Sequence, residues 1–343
     1  MKPIQIVGGG LAGLSLGIAL RKAGVPVSIM EAGSYPRHRV CGEFVSGRGR
    51  DALRDLGLEK ELLARGAREA RTAAFYSRRA KGKPRPLPQP ALCLSRFEMD
   101  EALAEVFRGL GGDLTENKRW HGKPGPGVVR ATGRMVAQNG NGWKWFGLKA
   151  HARGVQSEAD LEMHLLDNGY VGLCRLSGNT VNVCGLFRSQ GAAPELANNW
   201  RKWLRGPKDS ELRKRLEGAE FDADSFCATA GLNLAPQSAV GREECRVGDA
   251  ITMIAPLTGN GMSMAFESSQ IAAASLFEYS EGRVDWATAK DRIATSCDAA
   301  FRQRLFWGRQ MQQAVFQPGV SDGVVWLGTR SGLLWRELFN RTR

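Results

Sequence analysis

The sequence has no run of about eighteen consecutive apolar residues, so no helix is expected to cross a bilayer. The uncharged stretch Ala250–Phe266 is interrupted by Pro256, Gly259, Asn260 and Gly261, and it reads as a loop leading into a buried helix. No secretory leader is expected, because strand-type sequence begins at Ile4. The seven cysteines, at 41, 93, 174, 184, 227, 245 and 297, include no C-x-x-C pair. An odd number at irregular spacing speaks against a disulfide framework and against a zinc site; it fits free thiols in a reducing cytoplasm, and no metal is expected. Nor does the chain repeat itself. Acidic residues are few: 35 Asp and Glu against 48 Lys and Arg, a formal net charge of +13. The basic residues gather at 65–85, 201–215 and 302–343, but aromatic residues are not interleaved with the first cluster, and nucleic acid is not expected as a partner. A solvated basic surface is the plainest reading. An anionic membrane, with the protein lying peripherally on its inner face, or an acidic carrier protein bearing the substrate explains the charge equally well.

What the chain does have is an organising motif at its start. Ile4–Val7 is an apolar strand-type run that stops at Gly8-Gly9-Gly10. Leu11, Leu14, Ile18 and Ala19 then share one face of a helix that Gly24 ends, and a second short apolar run leads to Glu31. Gly8, Gly10 and Gly13 stand in the G-x-G-x-x-G frame, within the strand–turn–helix–strand context that makes this frame informative. Gly8 allows the tight turn, Gly10 the close approach of backbone to a pyrophosphate, and Gly13 the packing of helix on strand. The first helical turn, with Leu11 and Ala12, offers N–H groups and a positive dipole end to phosphates. Glu31 is placed to accept hydrogen bonds from an adenosine ribose, and a carboxylate there disfavours a 2′-phosphate, so FAD or NAD is expected rather than NADP. Ala32 and Arg39, just beyond, complete this part of the candidate cofactor site.

At 343 residues the chain exceeds the usual size of one core, and two lobes are expected. Pro36 and Gly42 mark a loop through Tyr35–Ser46; a helix pattern follows over Asp51–Arg65; the proline-rich stretch 80–90 reads as an extended surface connector. Leu94–Asp100 precedes a helix to about Leu110, 126–133 is a short strand ending at a glycine, and 139–142 is turn-rich. Trp143–His151, Asp160–Leu166, Tyr170–Leu176 and Thr180–Phe187 read as strands joined by hairpin chemistry, hence an antiparallel sheet in the second lobe. Leu196–Leu216 reads as a helix, and the logic of the N-terminus returns at 246–276: Arg246-Val247-Gly248-Asp249-Ala250, a glycine-bearing loop from Pro256 to Met262, then an Ala- and Ser-rich helix. Helices are expected from Trp286 onward.

Three separated stretches, the N-terminal glycine motif, Ser95-Arg96 with Asp100, and Gly248-Asp249 with Pro256 through Met262, together resemble the FAD-dependent hydroxylase and geranylgeranyl-reductase superfamily built on the p-hydroxybenzoate hydroxylase fold. The resemblance covers about residues 1–280. It implies FAD as cofactor, Asp249 on the ribityl chain, and Pro256, Gly259, Gly261 and Met262 along the isoalloxazine. It also implies that Arg96 contacts the cofactor; a surface salt bridge is the alternative. Cys41-Gly42-Glu43 resembles a segment of the reductase branch in which the Cys lies near flavin and substrate, which makes Cys41 a candidate proton donor; a buried structural thiol is the alternative. His151, in a stretch similar to that branch's substrate domain, is either a catalytic acid–base group or a satisfied structural histidine. Two features depart from the pattern. Ala131-Thr132-Gly133-Arg134 carries Thr where hydroxylases of this fold have Asp, which leaves open whether NAD(P)H is the direct electron donor. Trp143-Lys144-Trp145 is similar to a flavin-halogenase W-x-W motif, but Phe146-Gly147 does not continue it, and two Trp at i, i+2 fit one face of a strand.

The expected fold is α/β: a Rossmann-type FAD-binding domain of the p-hydroxybenzoate hydroxylase kind, assembled from 1–75, 93–135 and 232–285; a connector or substrate-domain strand at 76–92; an antiparallel-sheet substrate domain at 136–231; and a C-terminal helical segment at 286–343. The function expected first is a flavin monooxygenase acting on an aromatic, polyketide or terpenoid-type hydrophobic molecule, free or carrier-bound. The alternatives are a reductase of isoprenoid double bonds and a non-catalytic flavin-binding protein.

Overall fold

The computed structural model describes residues 1–134, 142–190, 196–317, 319–330, 332, 336, 337 and 339; the turn expected at 139–141 lies outside them. The N-terminal motif forms β1 (Ile4–Val7), α1 (Leu11–Lys22) and β2 (Val27–Met30). Then come β3 (Phe44–Val45), α2 (Arg48–Asp55), α3 (Glu59–Ala64), β4 (Arg68–Tyr76), β5 (Arg85–Cys93), α4 (Arg96–Gly109), β6 (Asp113–Thr115) and β7 (Val128–Arg130). The middle of the chain is β8 (Lys144–Arg153), β9 (Leu161–Leu166), β10 (Gly169–Arg175), β11 (Val181–Ser189), α5 (Leu196–Arg205), α6 (Glu211–Arg215) and β12 (Glu220–Ala230). After β13 (Cys245–Arg246) and two 3₁₀ turns, Gly248–Ala250 and Pro256–Thr258, the chain ends in α7 (Gly261–Ser280), α8 (Trp286–Val315) and α9 (Val320–Arg330).

Two expected helices are each broken in two. Gly57, at φ +67°, separates α2 from α3, and Gly206, at φ +65°, ends α5 before Ser210 caps α6 by accepting from the Arg213 N–H. The proline-rich connector is mostly strand. Pro88 and Pro90 fall in the irregular stretch between the pairs Thr72–Pro86 and Ala70–Ala91, where missing N–H groups break no ladder pair, and β3 covers the outer edge only at Leu92 and Cys93. A run of prolines is thus compatible with pairing on the other side, to β4.

Five strands form a parallel sheet in the order β13-β7-β1-β2-β6, with α1 and α4 packed against it. Eight strands form a second sheet in the order β12-β8-β11-β10-β9-β4-β5-β3. It is antiparallel except for β4 beside β9, which run parallel from Ala73 opposite Leu161 to Tyr76 opposite His164. Period-two alternation reports that a strand has two faces but not which strand lies beside it, and here a hairpin from early in the chain joins a meander from the middle.

The contact that positions everything else is between α1 and α7. Ser15 Oγ donates to Ser269 Oγ at 2.8 Å, and a Cβ built on Gly248 would lie 2.8 Å from Ala12 Cβ and 3.9 Å from Ala265 Cα. Ala12 therefore sits level with Ala265 and Ser15 with Ser269, so the two helices run parallel, and small residues at the contact let them approach. Arg304 of α8 pairs with Glu267 of α7 in the interior and ties the C-terminal helices on. No helix among the described residues is long and apolar enough to cross a membrane.

Gly13 is the tightest point of the N-terminal turn: a Cβ there would stand 2.0 Å from the Gly8 carbonyl oxygen. Gly13→Ala is expected to destabilise the protein by about 1–3 kcal/mol through overpacking, although alanine is the better helix former by about 1 kcal/mol. The urea midpoint at unchanged slope measures this; an equal or higher midpoint would contradict it.

Candidate cofactor and substrate site

One cavity of about 1080 Å³ runs through the molecule, and both glycine turns line it: Gly8, Gly10, Leu11 and Ala12 from the first, Asp249, Pro256, Gly259, Gly261 and Met262 from the second. Glu31, Ala32, Arg39, Cys41 and Arg96 lie on the same wall. The volume exceeds the roughly 300–1,000 Å³ of ordinary small-molecule pockets. Gly13 and His151 are not on the wall; Gly13 packs on Gly8, and His151 stands behind Glu43.

Neither α1 nor α7 has a side-chain cap, and a Cβ on Gly10 or Gly261 would meet no atom within 4 Å. Two helix N-termini therefore present bare first-turn N–H groups to one cavity, the arrangement that suits an anionic group. Glu31 braces the first turn: Oε2 accepts from the Gly9 N–H at 2.7 Å, and Oε1 accepts from the Gly33 N–H at 2.8 Å and from Arg37 at 2.6 Å. Burial opposes ionisation, but Arg37 and these N–H groups overcome it and hold Glu31 down at about 2. Arg37 was not singled out from the sequence; its only signal there is a basic residue shortly after the ribose-type acid. Asp249 shows the reverse. Burial pushes it up to about 6, only partly offset by Arg134 and Arg96, and its carboxylate makes no ion pair or hydrogen bond among the described residues. A half-buried carboxylate facing an open cavity is matched by a ligand bearing hydroxyl donors.

Residues 1–136 match the family model described as FAD binding domain. Among curated relatives, the chain is 23% identical over 342 residues to conditioned medium factor receptor 1 of Dictyostelium discoideum, an alignment covering 80% of this chain and 63% of the relative. It is 41% identical over 87 residues to squalene epoxidase 4 of Arabidopsis thaliana, covering 25% of this chain and 16% of the relative. The chain thus spans less than two thirds of either relative. Among solved structures, a geranylgeranyl bacteriochlorophyll reductase-like protein from Thermoplasma acidophilum superposes with a TM-score of 0.76 at 16% identity, covering 96% of this chain and 91% of that one. PqsL of Pseudomonas aeruginosa, described as a probable FAD-dependent monooxygenase, superposes with a TM-score of 0.71 at 14% identity, covering 95% and 99%. Residues 1–136 are thus an FAD-binding domain, and the chain has the fold of these two solved structures. The residues present fit that cofactor: the N-termini of α1 and α7 for its charged and electron-rich parts, Glu31 for a ribose, Asp249 for ribityl hydroxyls.

Arg96 is pinned on the cavity wall. Its Nε and one terminal nitrogen donate to the two oxygens of Asp100 at 2.7 and 2.8 Å, and Asp100 is wholly buried, so the surface salt bridge is not what forms. Cys41 lies beside it; burial pushes its thiol up, so it is neutral at pH 7, and its Sγ accepts from the Glu43 N–H at 3.5 Å. Thr132, Gly133 and Arg134 also line the cavity. Much of the rest of the wall is apolar, with Phe75, Leu161, Met163, Leu186, Leu257 and Met311 among its residues, although Lys83, Arg85 and Glu162 also line it. Tyr170 is there too, but its hydroxyl is bonded to Gln312 Oε1 at 3.1 Å. The two Trp of the W-x-W segment share neighbours: Trp145 packs on Phe316 at 5.3 Å, and Arg188 lies 4.2 Å over both Trp143 and Phe316. All seven cysteines are free.

Two substitutions separate cofactor residues from packing residues. Gly10→Ala is expected to leave the unfolding midpoint unchanged, since its methyl meets open space, while weakening FAD at least tenfold by fluorescence titration; unchanged affinity would contradict the cradle. For Asp249, an acid whose pKa is raised on folding, protonation favours the cofactor-free protein. That contribution is full below about 4 and is lost as pH rises through about 6. Asp249→Asn should therefore stabilise the cofactor-free protein at neutral pH by about 2 kcal/mol and flatten its stability between pH 4 and 6. A variant whose pH profile matches the parent would show the carboxylate to be solvated.

Proposed function

We propose that this chain is an FAD-dependent monooxygenase acting on a hydrophobic small molecule. One observation carries the reading: the glycine cradle and an apolar chamber are a single cavity, so a substrate without charge can lie against the redox cofactor and away from water. FAD, when bound, supplies the exchange of electrons with a donor, with O₂ and with the substrate. The protein's part is orientation and electrostatics. The uncapped N-terminus of α7 stabilises negative charge gathering beside Gly261 and Met262. Arg96, fixed by Asp100, keeps a cation on the wall near Asp249. The names of squalene epoxidase 4 and PqsL favour oxygen transfer, and NAD(P)H is the proposed donor. The substrate is taken to arrive free, from a membrane surface or on a carrier protein.

A second reading, reduction of an isoprenoid-type double bond, has Cys41 in its favour: burial keeps its thiol protonated on the cavity wall, where Sγ–H can deliver a proton. Purified protein should take up FAD and, with a reductant and a panel of apolar aromatic and terpenoid compounds under ¹⁸O₂, yield products carrying one labelled oxygen. Products with saturated double bonds and no label would establish the reductase in its place. In that event, full turnover by Cys41→Ala would exclude the thiol as the donor.

A further inference from the structure

Four ionisable side chains form a connected cluster at the cavity wall, which His38 and Glu43 both line, and the rings of His38 and His151 meet edge-on at 5.1 Å. His38 lines the cavity, and its Nδ1 is 3.0 Å from Lys149 Nζ. Lys149 Nζ is 3.3 Å from Glu43 Oε1, and Glu43 Oε2 is 2.7 Å from His151 Nε2. Lys149 and Glu43 are wholly buried, and His151 is 9% exposed. Lys149 and His151, two apart on β8, share the face of Gly147, where a Cβ would lie 2.8 Å from Val40; this lets the Val40–Glu43 turn lie flat on the sheet. Glu43 itself has φ +60°, a left-handed backbone that a residue with a side chain keeps only when its surroundings impose it. Its Oε1 accepts from the Arg96 N–H at 3.0 Å and its carbonyl from the Leu94 N–H at 3.2 Å.

The outer end reaches solvent at a break in the sheet. The pairing of β12 with β8 shifts between Asp222 and Cys227, residues 222–224 are exposed, and the His151 N–H donates to Ser225 Oγ at 2.7 Å. Although His38, Glu43 and His151 have ligand atoms within 4.8 Å of one another, the Lys149 ammonium stands against two of them, so the place of a cation is taken. An ammonium only donates; His38 Nδ1 therefore accepts and Nε2 carries the ring proton, while His151 donates Nε2–H to Glu43.

We propose that His151, Glu43, Lys149 and His38 form a proton relay between solvent at the β12 break and the cavity. It rests on the redox reading above, in which a proton must reach the cofactor in the cavity. His38 Nε2 gives its proton to an acceptor in the cavity as Nδ1 takes one from Lys149. The neutral amine is reprotonated by the Glu43 carboxyl, which draws its proton from His151 Nε2–H as His151 Nδ1 takes one from solvent. The net event is one proton moved inward with the charge of the cluster unchanged; turning of the two rings restores the starting tautomers. Burial, then Lys149 and His151, hold His38 down at about 4 against the opposing Glu43 and Asp222, so at neutral pH Nδ1 is free to accept. Arg96, Cys41, Cys174, Cys184 and Cys227 also face the cluster.

The test needs no substrate. Reoxidation of photoreduced FAD on the holoprotein takes up one proton (FADH⁻ + H⁺ + O₂ → FAD + H₂O₂). His151→Ala should slow it about 10- to 100-fold at neutral pH. Added imidazole should restore the rate, whereas pyrazole, of the same shape but a much weaker base, should not. A full rate in His151→Ala, or equal rescue by both compounds, overturns the relay. A second reading uses cofactor-free protein: by NMR, His38 titrates near about 4, and Lys149→Met moves it upward. An unmoved titration breaks the inner link and overturns the proposal. Should Lys149→Met fail to fold, Lys149→Gln, which keeps a hydrogen-bond donor beside Glu43 while removing the ammonium, is read in the same way. A protein that takes up no FAD sinks the functional reading and the relay with it; one that takes up FAD but is indifferent to these changes sinks the relay alone.

Discussion

The parallel contact of α1 with α7 is the constraint on which the site depends. Helices that lie side by side at the distance permitted by Ala12, Ser15, Gly248, Ala265 and Ser269 have their N-termini side by side as well. Two positive dipole ends then face one space, and each is left without a side-chain cap. In a protein with no ligand to bind, a pair of bare helix ends would be satisfied by Ser, Thr, Asp or Asn caps. Here Gly10 and Asn260 occupy those positions without capping, so the donors remain available. Stability is given up at these ends so that function can use them.

A second constraint joins the two sheets. The Val40–Glu43 turn leaves the parallel sheet's domain and lies across the face of β8 and β11, held by Glu43 on Lys149 and His151 and by Asn182 on the Cys41 carbonyl at 2.9 Å. A buried carboxylate between an ammonium and an imidazole is costly to remove from water and strongly destabilising to break. Such a cluster specifies one arrangement of turn and sheet, and it places Cys41 and His38 on the cavity wall. The same buried charges that fix the geometry also provide a route for a proton.

The motifs near residues 8, 96 and 249 were legible because each combines a backbone requirement with local periodicity. A glycine that must turn, a strand before it and a helix after it leave marks within thirty residues. Tight packing behind Gly13 and open space before Gly10 follow from the same frame. What was not legible involves partners distant in the chain. The Arg37–Glu31 pair, the burial of Asp100 beneath Arg96 and the placement of His151 behind Glu43 rather than on the wall depend on which surfaces meet. Nothing in the neighbourhood of His151 distinguishes a ring facing a cavity from one facing a carboxylate 108 residues away.

The sequence alone determined that a strand–glycine–helix unit opens the chain, that a second glycine turn with an acid lies far downstream, and that a β-rich stretch separates them, because such signals are written in short-range periodicity and turn chemistry. Tertiary structure alone decided that the two turns share one cavity, that β4 lies parallel to β9, and that a buried Glu43 links the cavity wall to the sheet behind it. Those outcomes come from the packing of faces that lie far apart in the chain, and no local pattern encodes which face meets which.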